Sequence, residues 1–466
     1  MASRHSLCTL WKLDIAPRGF SPRNQLWYSQ LLSLLPCVPR QIARDWQLYI
    51  LYPPGTFFGH PGGRPTRLNP QHSAAAASLM LPVKLVHLRH WGFVYSVLGL
   101  PTIYCVAFSN TQVCQKDEPI MPIRFQCGNM VETAEGIMEK VYGPYTGDGW
   151  SPKPFAENKS RYLWTDAYGV ANYLTLYCET KNDTFLARAR KLIETVHDSL
   201  GKTRDSSKRL GSATDDRPLL GGLRIGKPKD EGPGMDEDGQ YYHYLTKWMF
   251  ALNRASIVMK EPKFNAWAID LAKTVHPKFV RETNHGLRMF WKLNINLTTP
   301  LVHSQGGLDP YDGYTMYRIL ADTANDKDIL KNEIDQMKQM VNHSIYSTSD
   351  CLDAGEALWL ASWYPDESWS KQLYVQALRT VNSLWDSGEF SSKVRYRLAF
   401  REFGTTIGVQ MHTDAQWWNT WKQRVAEIHA CWADHIYSRD SDITPVMYCT
   451  SLVPGVFNKH YKKLQQ

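Results

Sequence analysis

From about residue 128 onward the chain is a succession of helix-length segments in which apolar positions recur every three or four residues. The spacing predicts helices over 130–141, 161–180, 183–200, 240–259, 263–275, 311–324, 327–342, 353–363, 367–385, 398–411, 417–437 and 444–457. Two kinds alternate. In 183–200 the apolar residues Phe185, Leu186, Ala189, Leu192, Ile193, Val196 and Leu200 make one stripe, and Arg188, Arg190, Lys191, Glu194 and Asp198 the other face. In 161–180 the apolar and aromatic residues Leu163, Trp164, Ala167, Tyr168, Val170, Ala171, Tyr173, Leu174, Leu176 and Tyr177 run all the way round. A helix apolar on every side is buried on every side. The segments 240–259 and 398–411 share that character, and each precedes a more charged helix after a short turn.

Inner helix, turn and amphipathic outer helix thus repeat as 161/183, 240/263, 311/327, 353/367 and 398/417. The segment near 444 lacks a successor and the one near 130 lacks a predecessor. Pairing those two closes six hairpins into a ring, so the expected architecture is an all-α (α/α)6 toroid over 121–466, with an open superhelix of the same hairpins as the alternative. The run Trp164-Thr165-Asp166, followed by Leu174-Thr175-Leu176-Tyr177-Cys178-Glu179-Thr180-Lys181-Asn182-Asp183 and the amphipathic Phe185-Leu186-Ala187-Arg188-Ala189, resembles a hairpin of the six-hairpin glycosidase-like superfamily. That superfamily includes unsaturated glucuronyl hydrolases and N-acylglucosamine 2-epimerases. The resemblance implies the toroid and an acid in this helix. It does not fix the activity.

Charge changes the reading of the first 120 residues. All of the net charge of +8 falls before residue 110, where the acids are Asp14 and Asp45 alone, and the rest of the chain is balanced. The body therefore lacks the basic surface that nucleic-acid binding requires. Prolines interrupt the extension from Pro17 to Pro82, and no amphipathic period survives between them, so 1–120 reads as a basic, Pro-rich, poorly structured extension. Within it, residues 91–108 carry no charge and reach the length of a membrane span, although Gly92, Gly99 and Pro101 weaken that reading. A membrane contact is expected only through this stretch, and a cytoplasmic location is favoured. With 43% hydrophobic and 21% charged residues, a polytopic membrane protein and a mostly disordered chain are both excluded. Nine scattered cysteines without a CxxC pair predict free thiols and neither a disulfide framework nor a zinc ribbon.

Two long polar connections, 201–239 and 277–310, both join an outer helix to the next inner helix and so belong to one face of the ring. Acids gather near the same ends: Asp166, Glu237, Asp238, Asp309, Asp312, Asp353, Glu356, Glu402, Asp440 and Asp442. Many such acids are helix caps. Asp166 and Glu402 lie inside apolar helices, where a lone carboxylate is costly. They are therefore the first candidates for a catalytic pair, with Glu356, Asp238 and His243 beside them. His243 and Lys247 share a helix face. Trp164, Tyr241 and Trp291 supply aromatic faces for a sugar ring, and Lys247, Arg397 and Arg401 supply charge. No P-loop, GxGxxG, Gly-x-Ser-x-Gly or His-Glu-x-x-His motif occurs, so neither a cofactor nor a metal is expected. The expected partner is a small carbohydrate. Paired carboxylates point to hydrolysis of a glycoside or unsaturated sugar. Sugar epimerisation is the alternative within enzymes, with His412 or His303 the only candidates to pair with His243. A noncatalytic helical scaffold is the alternative outside them.

Overall fold

The computed structural model describes residues 127–155, 160–284 and 286–465. The extension, its uncharged stretch 91–108 and the boundary near 120 lie outside the described residues, and among those described no helix is long and apolar enough to cross a membrane.

Among the described residues, twelve α-helices alternate between an inner and an outer ring. The outer helices are α1 (Cys127–Tyr142), α3 (Thr184–Leu200), α5 (Pro262–Phe279), α7 (Lys331–His343), α9 (Ser368–Asp386) and α11 (Trp418–Trp432). The inner ones are α2 (Leu163–Thr180), α4 (Tyr242–Met259), α6 (Asp309–Ala324), α8 (Cys351–Ala361), α10 (Ala399–Gln410) and α12 (Thr444–Leu452). Each inner helix packs on the next, and α12 packs on both α2 and α1, so the ring closes. At the seam, Asn172 of α2 donates to the Val446 carbonyl at 2.9 Å and accepts from the Thr450 hydroxyl at 2.7 Å. The Cys449 thiol reaches the Ala134 carbonyl of α1 at 3.6 Å. The segments 130–141 and 444–457 thus form the sixth hairpin.

Three of the hairpin turns share one device. Helices α2, α4 and α6 end on Lys181, Lys260 and Asn325, all in the left-handed region at φ 58°, 58° and 52°. A left-handed residue just past a helix closes its last carbonyls and reverses the chain, which lets the outer helix start within a few residues. Inner helices approach closely where glycine allows it. A Cβ on Gly355 of α8 would sit 2.2 Å from the Gly404 carbonyl of α10, and one on Gly408 would sit 1.9 Å from the Gly355 carbonyl.

Short strands dress one end of the ring. β1 (Lys229–Glu231) pairs parallel with β2 (Glu237–Asp238), and β4 (Val280–Thr283) makes a hairpin with β5 (Gly286–Met289). β3 (Gln240–Tyr241), β6 (Lys292–Leu293) and β7 (Pro300–Val302) form an antiparallel sheet in the order β3-β6-β7. This sheet fastens the two long connections to each other. The Lys292 ammonium donates to the Gly234 and Glu237 carbonyls at 2.7 and 2.9 Å, and the Gln240 amide to those of Gly221 and Ile295 at 2.9 and 2.7 Å. α5 differs from its expected end: it continues through Pro277 to Phe279. Among the described residues Cys178 and Cys449 are buried free thiols, and Cys351 and Cys431 half-buried ones.

The other end is plugged by the chain itself. After α12 a 3-10 turn over Gly455–Phe457 places Phe457 against Tyr168 and Phe250, ring centroids 5.0 Å apart in each case, and its carbonyl accepts from the Trp359 indole at 3.0 Å. Phe457 bridges three inner helices and is buried. Phe457→Ala is therefore expected to cost about 3–5 kcal/mol, read from urea unfolding. A loss below about 1 kcal/mol would mean that the plug contributes little.

Candidate active site

At the strand-covered end the first turns of α4, α6 and α8 converge, and there the structure sorts the expected acids into two groups. Asp166 and Glu402, the expected catalytic pair, do not share a pocket. Asp166 is fully buried and accepts from Arg161 Nε at 2.8 Å, from Arg161 Nη2 at 2.5 Å, and from the Tyr142 hydroxyl of outer helix α1 at 3.2 Å. Glu402 accepts from Arg397 Nε at 2.7 Å and Nη2 at 2.6 Å, and from the Trp432 indole of outer helix α11 at 2.8 Å. The two sites repeat one design: an arginine five residues upstream forks onto the acid, and an outer-helix side chain completes the shell. Burial raises both carboxyls, and the arginines oppose it. These acids tie inner helices to the outer layer. Asp238 is likewise held by arginines away from the other expected acids. It accepts from Arg224 at 2.6 Å, Arg204 at 2.9 Å and the Gly226 N–H at 3.0 Å, which makes it the clamp of the first long connection. Arg397 is therefore committed to Glu402, and Arg401 to Asp350.

The remaining expected residues come together. The His243 imidazole bridges two carboxylates: Nδ1 bonds Asp312, and Nε2 lies 2.7 Å from Glu356. Lys247, one turn further along α4, spans the same two acids at 2.9 and 3.2 Å. The Tyr168 hydroxyl donates to the other Glu356 oxygen at 3.1 Å. Trp164 stacks on His243 with centroids 5.0 Å apart, and the Lys247 ammonium lies 4.5 Å above the Trp359 ring. An aromatic arc continues outward: Trp164 to Tyr244 at 5.2 Å, Tyr244 to Tyr241 at 4.6 Å, and Tyr241 to Trp291 at 4.9 Å. The short strand β6 begins beside Trp291, and its pairing with β3 holds that ring against the arc.

The electrostatics follow from these contacts. Burial disfavours a charged imidazole, yet the carboxylates of Glu356 and Asp312 outweigh it and hold His243 at about 10. Burial likewise opposes ionisation of Asp312 and Glu356, and the two cations overcome it and keep both carboxyls below the ordinary range. The floor is thus two carboxylates balanced by two cations. His243, Asp312 and Glu356 present ligand atoms within 4.8 Å of one another, the spacing of a metal site. Lys247 already spans the two carboxylates, so a divalent ion would have to displace its ammonium and deprotonate His243. These residues fit an internal ion-pair network better than a metal.

Two acids nearby have no cation partner among the described residues. Asp309, at the start of α6 and almost fully buried, accepts only the Gly306 N–H at 3.2 Å. Burial raises it to about 7, with His243 opposing and Asp312 adding. Asp353, in the first turn of α8, is exposed and meets the Thr348 hydroxyl at 3.3 Å; the protein around it and Asp350 raise its carboxyl, with His243 opposing. Both looked like helix caps in the sequence. The signal that could have singled them out is negative: neither has an arginine five residues upstream, whereas Asp166 and Glu402 do. Among the described residues a second imidazole does not join His243. His412 lies beyond the far end of α10, bonded to the Leu358 carbonyl at 3.0 Å, and the His303 ring packs near Phe290, 6.1 Å between centroids.

The His243 bridge sets a pH dependence. Its folded value of about 10 exceeds the ordinary value, so its contribution to stability is complete below about pH 6.5 and is lost as pH rises through about 10. The stability difference between the wild type and His243→Gln should therefore shrink steadily from pH 7 to pH 10, measured by chemical unfolding. A difference that stays constant over that range would contradict the bridge.

No family model and no curated protein matches the chain. Solved structures do. A GH76 α-mannanase of Bacteroides thetaiotaomicron superposes with a TM-score of 0.50 at 10% identity, covering 71% of this chain and 97% of that one. A cellobiose 2-epimerase of Spirochaeta thermophila gives 0.48 at 10% identity, covering 72% and 98%. A sugar epimerase from a ruminal bacterium gives 0.48 at 12% identity, covering 70% and 98%. At these identities the likeness to the mannanase establishes the six-hairpin toroid and nothing about activity.

Proposed function

We propose that the protein is a carbohydrate-active enzyme that hydrolyses a glycosidic bond at the strand-covered mouth of the ring. The observation that carries this reading is the division among the mouth acids. Asp309, raised by burial to about 7, holds its proton in a substantial share of molecules at neutral pH, beside carboxylates that are ionised and locked. In hydrolysis Asp309 gives that proton to the glycosidic oxygen as the bond to the anomeric carbon breaks, and Asp353 takes a proton from the attacking water. Asp353 suits a base because no cation bonds it among the described residues and its side chain reaches solvent. The charged floor of His243, Lys247, Asp312 and Glu356 supplies donors and acceptors to sugar hydroxyls, and Trp164, Tyr241, Tyr244 and Trp291 offer faces for the apolar side of a pyranose.

A fold shared with an α-mannanase is in keeping with sugar chemistry, but the same fold carries epimerases, so the choice rests on the site. Moving a proton between opposite faces of a sugar carbon needs two acid/base groups on opposite sides of it; His243 is locked between Asp312 and Glu356, and no second imidazole faces it among the described residues. Hydrolysis is favoured for that reason. A noncatalytic scaffold leaves a proton-holding acid beside a buried charge network without a role. The test is a panel of aryl α- and β-glycosides and neutral disaccharides, read as released aglycone or reducing ends. Release that disappears in Asp309→Asn supports the reading. Isomerised monosaccharide without bond cleavage would replace it with an epimerase or isomerase.

A further inference from the structure

The opposite end of the ring holds a buried cation without an acid. Arg254 lies near the end of α4, twelve residues beyond Tyr242 and thus about 18 Å along the helix axis from its start. Only 4% of it is exposed. Its Nε donates to Asn253 Oδ1 at 3.1 Å and its Nη2 to the same oxygen. That amide is itself fixed, because Asn253 Nδ2 donates to Asn265 and Thr323 at 2.8 Å each. One neutral oxygen is therefore the whole hydrogen-bonding shell of a buried guanidinium among the described residues. The rings of Phe250 and Trp363 flank it, at 5.3 and 5.1 Å. Burial lowers Arg254 to about 10, as expected for a charge without a counterion.

Among the described residues the neighbours add donors and no carboxylate in direct contact, Asp322 standing one step away behind the Tyr364 hydroxyl at 3.4 Å. The Trp363 indole N–H is buried and has no partner, and Trp363 is itself 4% exposed. The Lys459 ammonium bonds the Trp363 carbonyl and stands 5.3 Å from the Tyr364 ring. Polar groups buried without partners are rare in folded proteins and commonly mark a bound ion or water. The carbonyl ends of α4 and α8 bring some negative potential here, but among the described residues no carbonyl oxygen of the backbone accepts from Arg254.

We propose that Arg254, Lys459 and the Trp363 indole form a binding site for a phosphate-type oxyanion at the end of the ring opposite the sugar mouth. A guanidinium fork matches oxyanion geometry, and the Lys459 ammonium and the unpartnered Trp363 indole N–H are further donors beside it, more than a planar carboxylate needs. The site is independent of the proposed hydrolysis.

Thermal unfolding of the full chain, in inorganic phosphate against sodium chloride at matched ionic strength, tests it. Phosphate should raise Tm saturably by several degrees, equally in the wild type and in Asp309→Asn. Arg254→Met should abolish the rise, and Trp363→Phe and Lys459→Met should weaken it severalfold. In chloride alone, Arg254→Met should unfold no earlier than the wild type, since it removes an uncompensated charge. If Arg254→Met does not fold, the other two variants carry the test. No phosphate-specific rise in the wild type would overturn the proposal and assign the cation to the flanking rings and helix ends. An equal rise with acetate would overturn the phosphate assignment.

Discussion

Asp309→Asn is expected to abolish turnover and at the same time to stabilise the protein above neutral pH. The carboxyl is almost fully buried, accepts one backbone N–H, and has no cation partner among the described residues. Its folded value of about 7 lies well above that of a free aspartate. The folded state therefore binds the proton more tightly. The associated stability is complete below about pH 4 and is lost as pH rises through about 7. Above that point the native state carries an uncompensated carboxylate, at a cost of up to about 4 kcal/mol for a shift of roughly three units. Asparagine fills nearly the same volume and cannot ionise, so the variant should gain stability at pH 8 and match the wild type near pH 4. Catalysis should move the other way, by about 10²–10⁴-fold, the range for a lost general acid. Chemical unfolding at the two pH values and glycoside hydrolysis together decide the matter. A variant that still turns over, or whose stability tracks the wild type at both pH values, would remove Asp309 from the mechanism.

Arg161→Met is expected to destabilise the protein by about 3–5 kcal/mol, because it leaves Asp166 buried with its main partner gone. Both Asp166 oxygens accept from that guanidinium, and the remaining donors are the Tyr142 hydroxyl and, through backbone, Tyr162. Asp166→Asn breaks the same pair from the other side and should also lose stability, so any fall in activity would follow unfolding. The double variant Arg161→Met/Asp166→Leu should recover much of the loss, since apolar residues of similar size replace buried ion pairs at little cost. Urea unfolding of the three variants completes the cycle. A loss below about 1 kcal/mol for Arg161→Met, with sugar hydrolysis abolished, would return Asp166 to the active site.

Candidate chemistry was legible where the backbone period alone sets the geometry. His243 and Lys247 are four apart on one helix, so they share a face in any packing, and the structure finds both gripping the same two acids. Asp312 was visible only as one acid among several, because its pairing with His243 joins α6 to α4 across the ring. Trp164, Tyr241 and Trp291 were legible as aromatics of one face, and the arc they form depends on how β3 and β6 pair. The arginine pairing of Asp166, Glu402 and Asp238 was not anticipated in the sequence, for one reason. A carboxylate in an apolar helix signals that a partner must exist, but it does not say whether that partner is a substrate or an arginine from the preceding loop.

Closure into a ring was decided by the packing of α12 on α1 and α2, whereas the sequence by itself determined the helical hairpins and their inner and outer assignment. Each of these follows from a local period of apolar residues and from how many faces of a helix must be buried. The tertiary structure alone decided which acids are free. Protonation at the mouth depends on a few ångströms between a carboxyl and the nearest cation. Loop paths around Arg161, Arg224 and Arg397 set those distances for Asp166, Asp238 and Glu402. They leave Asp309 with a single backbone donor. Burial energies sum over many residues and leave a periodic trace along the chain. A charge pairing rests on one contact between distant segments and leaves none.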